Sequence, residues 1–442
     1  MMRTFPFGTA ALLMLFCSIV SGAWLGLHPA AQKQADLTFW TFTKIHYDPY
    51  TETIPTFEQQ HHCKVDLQLV DTRAVTSRLQ AAMLSDVDVP DLVEIPIDFA
   101  PAFFRGPLEH VGFIDLTQRI HQAGLWDKMV QARFAPYTSR GHIFGLPHDV
   151  HPVQLAYRSD IFAQEGVDVS KIKTWDDFIR IGRKLTIPNK RYMLELYDFR
   201  SAHLEACMFQ RGGGYFDPQG HCIFDNDIGV QTMLWFVPLV AGPHKIAGSI
   251  GSGQILTQAV EDGYFLCLVC PDWRSKSIEK DIPRMAGKMK LMPLPAVTAN
   301  SRHTSTWGGT MLGITRHCKN PDLAWQLALH LYLNKKELGK RYEGTNILPA
   351  LRAAWSEPSF SQPRPYWCNQ PIGALYAKLA PDVPFQYTSP FIATAKDKLG
   401  EALVACVQYY NANGDNGFEP FVRATLKEKA DQVRALAARN PY

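Results

Sequence analysis

Asp36-Leu-Thr-Phe-Trp-Thr-Phe42, Lys64-Val-Asp-Leu-Gln-Leu-Val70 and Asp91-Leu-Val-Glu-Ile95 are three short apolar runs, and the two segments between them carry helical patterning. The second run alternates apolar and polar residues with the period of a half-buried strand, and the other two read as buried strands. Pro49 to His61 reads as a helix, and Thr72 to Ser85 as another, with Val75, Leu79, Ala82 and Met83 on one face. Strands separated by helices of this length need crossover connections, which are right-handed and build a mainly parallel sheet. The stretch therefore predicts an α/β protein.

The pattern changes at Gly141-His-Ile-Phe-Gly-Leu-Pro147, a turn followed by an extended run from Val150 to Tyr157 and a short helix over Ser159 to Glu165. Thr174-Trp-Asp-Asp-Phe178 has a helix N-cap residue with acids in the first turn, where the helix dipole favours them. Further helices are expected over Ser201–Gln210, Gly229–Val240, Gly253–Asp262 and Pro321–Asn334, with two long closing ones over Pro390–Tyr410 and Phe418–Arg439. The Pro-rich stretch Pro358 to Pro371 reads as an irregular connection. No internal repeat and no low-complexity linker divides the chain.

With 442 residues, 46% of them hydrophobic and 20% charged, the chain has ordinary globular composition and room for two or three lobes. A formal net charge of +3, evenly spread, argues against a phosphate-backbone partner, and so against nucleic acid. Near-neutrality also fits an uncharged ligand.

Residues Phe5 to Leu27 contain no charge, and Arg3 stands just before them. This is the pattern of an export segment with its N-terminus inside. Ser21, Gly22 and Ala23 offer a cleavage site, but the run is also long enough to stay as a membrane anchor, and both outcomes stay open. Phe16 beside Cys17 argues against acylation at that cysteine. Either way the folded part is expected outside the cytoplasm. Cys267 and Cys270 have zinc or redox spacing, yet they sit in the apolar run Gly263 to Cys270. Residues three apart on a strand face opposite ways, so two separately buried thiols are expected there, not a metal site.

The order of elements resembles the extracellular solute-binding proteins of carbohydrate ABC importers, the group that includes maltose-binding proteins. The resemblance is carried by Leu37 to Phe42, Pro90-Asp-Leu-Val-Glu94, Gly141 to Pro147 leading to Leu155-Ala-Tyr-Arg-Ser-Asp-Ile-Phe162, Lys173-Thr-Trp-Asp-Asp-Phe178, Arg211-Gly-Gly-Gly-Tyr215, Pro271-Asp-Trp273, and Thr306-Trp-Gly-Gly-Thr310 with Leu312-Gly-Ile-Thr315. It implies a two-lobed, periplasmic-binding-protein-like fold of type II, each lobe a mainly parallel sheet flanked by helices, with ligand held in the cleft between them. The lobes are expected over 36–148 with 308–338 and over 149–307 with 339–442, after an export segment at 1–35. The implied function is capture of a carbohydrate by lobe closure and its delivery to membrane permease subunits. A monomer is expected, with no cofactor, no metal and no catalysis.

The same resemblance points to ligand-contacting residues. Trp273 falls where the family places a stacking aromatic, although a core Trp is the plainer alternative. Trp307 with Gly308 and Gly309 is next, since glycines admit close backbone approach. Asp98 lies in a loop that carries a ligand-contacting acid in the family, and Glu94 is expected to point to the cleft from the strand end, whereas Asp91 caps structure. Asp149 and His151 are expected on the cleft floor; maltose binders have an acid where His151 falls, which argues against maltose. Lys44 and His46 follow the first strand, and Phe391 matches another stacking position. The run Phe39-Trp-Thr-Phe42 with Lys44 and His46 looks like the subgroup associated with arabinose or arabino-oligosaccharide uptake.

Two other readings compete. A secreted glycoside hydrolase would use two of Glu94, Asp98 and Asp149, and a sensor domain would present captured sugar to a membrane receptor. The chain has no Gly-x-Ser-x-Gly elbow, Walker loop or His-Glu-x-x-His helix, and Gly212-Gly-Gly214 reads as a turn.

Overall fold

A computed structural model describes residues 9–27 and 35–439, with side chains of the first stretch described at 12–22. The strands are β1 (Leu37–Thr41), β2 (Val65–Leu69), β3 (Leu92–Pro96), the hairpin β4 (Thr138–Ser139) and β5 (His142–Ile143), β6 (Leu146–Pro147), β7 (Val153–Arg158), β8 (Tyr192–Glu195), β9 (Ala247–Gly248), β10 (Phe265–Pro271), β11 (Met289–Pro293) and β12 (Thr310–Ile314). They form two five-stranded sheets, ordered β2-β1-β3-β12-β6 and β11-β7-β10-β8-β9, which are the centres of the two lobes.

The first three apolar runs pair in parallel as their helical crossovers demand, with Leu37 opposite Val65 and Phe39 opposite Leu92. Neither sheet is mainly parallel, however. Strand β12, returning from the second lobe, runs antiparallel to β3 and β6, and β7 runs antiparallel to β10 and β11. A strand that enters a sheet from the other lobe has no crossover helix to set its direction, so the mixed pattern marks the places where the chain changes lobes.

Several helices begin and end away from their expected limits. The first starts at Lys44, not Pro49, so that Pro49 and Pro55 both lie inside it. Thr53 Oγ1 donates to the carbonyl of Pro49 at 3.0 Å within this turn. Thr174 caps the next lobe's helix Trp175–Leu185 as expected, in a reciprocal box with Asp177. The Pro-rich connection holds a short helix, Pro358–Ser361, and a 3-10 turn, Pro365–Trp367, whose tryptophan is fully buried. The closing helices Ile392–Asn413 and Phe418–Ala438 lay Leu399, Leu403, Val422 and Leu426 into the second core.

Three segments link the lobes. His148 N donates to Thr310 O at 3.0 Å, Val150 N to Leu348 O at 3.0 Å, and Val153 N to Ser305 O at 3.1 Å, which braids residues 148–153, 305–310 and 348–349 together. The expected crossing at 338/339 would cut the helix Lys335–Thr345, which is continuous. Beyond that helix, Pro349 pairs with Asp149 of the first connecting segment.

Cys267 and Cys270 are both fully buried on β10 and pack into different cores, Cys267 in the second-lobe cluster and Cys270 in the other. Burial pushes both thiols up, that of Cys270 to about 12. Every cysteine is free. The helix Thr9–Leu27 exposes its large apolar side chains from Leu12 to Val20. Among the described residues no helix is long and apolar enough to cross a membrane.

Candidate functional site

Arg133 is fully buried beneath the cleft and ties two crossing segments together. Its Nε donates to Asp149 O at 3.1 Å, Nη1 to Thr306 Oγ1 at 2.9 Å, and Nη2 to Gly308 O at 2.9 Å and Asp149 Oδ1 at 3.3 Å. Asp149 also meets His148 Nδ1 and His151 Nε2, each at 3.2 Å. His151 reaches onward through Nδ1 to Asp272 Oδ1 at 2.5 Å, at the start of the helix Asp272–Asp281. Asp272 in turn accepts from Trp273 N and Leu348 N, both at 2.7 Å. One imidazole thus bridges a crossing segment and a second-lobe helix.

The electrostatics of this chain follow from burial set against close partners. Burial lowers the pKa of His151, but Asp149 and Asp272 outweigh it and raise the group to about 9. Burial raises the Asp149 carboxyl, yet His151 and His148 hold it well below the usual range. His148 is pushed down to about 4, first by burial and then by His46.

His46 and Glu94 form the other end of the chain. Glu94 is fully buried and accepts from Thr41 Oγ1 at 2.6 Å, Tyr50 Oη at 2.5 Å and Tyr332 Oη at 2.8 Å, with His46 Nδ1 at 3.0 Å. Burial works against its charge, but His46 and the remaining partners hold the carboxyl low. His46 stacks on His148 with centroids 4.1 Å apart. His46, Glu94 and His148 offer ligand atoms within 4.8 Å of one another. Glu94's oxygens are already taken by four donors and the two imidazoles lie face to face, so a tetrahedral metal does not fit without dismantling the network.

The open space lies to either side of a tryptophan pair. Trp273 and Trp307 meet edge to face at 5.4 Å, and Trp273 Nε1 donates to Trp307 O at 3.0 Å. Trp273 faces a cavity of about 690 Å³ bounded by Lys44, Glu52, Lys280 and Arg341. Trp307 faces one of about 740 Å³ bounded by Asp98, Phe199, Arg200 and Lys396. Both volumes fall in the roughly 300–1,000 Å³ range of small-ligand clefts. Lys396 reaches Asp98 at 2.8 Å and Glu205 at 3.0 Å, joining a first-lobe loop to the second lobe across the second cavity.

Gly308, at φ +94°, passes directly under the pair: a Cβ there would lie 3.2 Å from Trp273 Nε1 and 3.3 Å from His151 Cδ2. At Gly309 a Cβ would fall 2.2 Å from Arg133 Nη2. Both glycines are required by close packing within the braid.

Of the expected site residues, Lys44, Asp98, Trp273 and Trp307 border open space. Five others do not. Glu94 and His46 are spent on each other and on buried hydroxyls, and Asp149 and His151 lie in the enclosed network below the glycines. Phe391 packs in the second-lobe core, 4% exposed, with the Arg105 guanidinium 5.0 Å from its ring centroid. Lys44 opens a helix and pairs with Asp48 at 2.6 Å, so it does not sit on a free loop. Asp91 accepts from Thr38 N at 2.8 Å, a structural role as expected. Arg133, Lys396 and Arg341 escaped the sequence reading because no motif contains them. Asp272 stood inside Pro271-Asp-Trp273, where a buried acid at a strand-to-helix junction was the available signal.

Comparison with known proteins gives this two-lobed arrangement its class. Residues 52–363 match the family model of bacterial extracellular solute-binding proteins, and the chain belongs to that family. It is 24% identical to an arabinooligosaccharide-binding protein of Halalkalibacterium halodurans over 75% of each chain. It is 23% identical to an arabinooligosaccharide-binding protein of Bacillus subtilis, over 80% of this chain and 82% of the other. Among solved structures, a family 1 extracellular solute-binding protein superposes with a TM-score of 0.75 at 20% identity, covering 90% of this chain and 99% of that one. The family places the folded part outside the cytoplasm.

Proposed function

We propose that this protein captures a sugar or short oligosaccharide between its lobes and hands it to the permease subunits of an ABC importer, acting as a monomer. The observation that carries the reading is the Trp273–Trp307 pair, set between two cavities at the lobe junction. Indole faces suit the apolar CH faces of sugars, and the charged side chains around them suit hydroxyls. The arabinooligosaccharide relatives favour a pentose oligomer as ligand. We assign the strands up to β6, with β12, to the first lobe and β7 to β11 to the second. The segment before residue 36 serves as an export signal or anchor in this reading.

A glycoside hydrolase would need one carboxyl protonated and one ionised beside open space. Glu94 and Asp149 are enclosed and both held low, and Asp98 is engaged by Lys396. The test is a thermal-shift and titration panel of pentoses, hexoses and their short oligomers with reducing ends assayed in parallel. Saturable binding without product supports capture; steady release of reducing ends refutes it.

A further inference from the structure

The cavity beside Trp273 carries an uneven set of charges. Five cationic side chains border it against three anionic ones. Lys44 is neutralised by Asp48, Lys340 by Glu52, and Lys276 by Glu279 just outside. Glu337 accepts from Thr53 Oγ1 at 3.3 Å. Arg341 and Lys280 have no carboxylate partner among the described residues.

Arg341 is 6% exposed, with its guanidinium 4.8 Å from the ring centroid of Tyr50 and one Nη2 hydrogen bond to Leu331 O at 2.9 Å. Its Nε is buried without a partner. A buried guanidinium left with unused donors is costly, and its planar fork matches an oxyanion better than a hydroxyl. The opposite wall is the helix Asp272–Asp281, on which Trp273, Lys276, Ser277 and Lys280 follow the i, i+3, i+4, i+7 spacing of one face. That face presents in a line a ring for stacking, a hydroxyl and two ammonium groups.

We infer that this cavity takes an acidic sugar residue, a uronate whose ring stacks on Trp273 and whose carboxylate lies between Arg341 and Lys280. The inference rests on the sugar-capture reading and narrows its substrate class to oligosaccharides bearing a uronic acid. The near-neutral charge of the whole chain does not oppose it, because net charge governs solubility and not the lining of one cleft.

The test is calorimetric titration of the full chain with a uronate-bearing oligosaccharide, its methyl ester, a neutral arabino-oligosaccharide of the same length and a sugar phosphate. The free acid is expected to bind at least about tenfold more tightly than its ester, the effect of a charge-assisted hydrogen bond. That advantage is expected to shrink as salt rises. Lys280→Gln, an exposed position that folding tolerates, should weaken the acid more than the ester. Arg341→Lys, which keeps the charge without the fork, should do the same. Equal affinity for acid and ester overturns the inference and leaves sugar capture standing. Tighter binding of the sugar phosphate overturns the uronate assignment. Binding of none of the four overturns the uronate assignment, and sugar capture is then decided by the wider panel of pentoses and hexoses.

Discussion

Replacing His151 with Gln removes a buried cation that stands between Asp149 and Asp272, and the cost should depend on pH in one direction. The folded group sits at about 9, raised from 6.5. Because the folded value is above the unfolded one, the stabilisation is complete below pH 6.5 and fades as pH climbs through 9. A shift of that size is worth roughly 3 kcal/mol at full strength, more than half of which is gone by about pH 8 and nearly all by about pH 10. Unfolding entropy of about 2.1 cal/mol/K per residue over a chain of this length converts roughly 3 kcal/mol into a Tm change of about 3 °C. Thermal unfolding by circular dichroism at pH 6, 8 and 10, without sugar, measures it. His151→Gln should melt about 3 °C below the parent at pH 6, with the gap closing by pH 10. A gap that is constant across this range refutes the charged imidazole as the bridge.

Four further outcomes follow from the same geometry. His148, held at about 4, should act oppositely: its folded value is depressed, so its contribution is present above pH 6.5 and lost as pH falls through 4, and His148→Asn should flatten the acid limb of the stability curve. Trp273→Ala should weaken sugar binding by roughly 1–3 kcal/mol in calorimetry, and unchanged affinity would remove the ring from the site. Gly308→Ala should cost about 1–3 kcal/mol of stability in urea titration, since φ +94° and contacts to Trp273 and His151 both oppose a side chain there. Tyr332→Phe should destabilise by roughly 1–3 kcal/mol by withdrawing a donor from buried Glu94, measured in the same way.

The fold was legible in the sequence where local pattern and tertiary role agree. The three opening strands fall within a residue or two of their apolar runs, because apolar alternation and apolar runs are set by the residues themselves. The mixed sheet direction was not legible. Whether β12 runs with or against β3 depends on its arrival from another lobe, which no local pattern records. The site was half legible for a related reason. Trp273 at a strand-to-helix junction and Trp307 beside two glycines announced themselves, but Glu94 and Asp149 looked like ligand-facing acids, since a carboxylate on or after a strand reads alike whether it meets water or a buried tyrosine. The partners that decide the matter, Tyr332 for Glu94 and Arg133 for Asp149, lie too far along the chain or outside any motif.

The separately buried cysteines bear on how this chain reaches its final state. Cys267 and Cys270 are three residues apart in sequence and on opposite sides of a strand once folded, so the finished protein gives an oxidant no vicinal pair to join. Before β10 is laid into its sheet, the same two thiols belong to one flexible loop and are adjacent to any oxidase of the extracytoplasmic space. The period of chemical hazard is thus the interval between emergence and strand pairing. Strand pairing itself ends that interval, because it places the two sulfurs on opposite faces of the sheet.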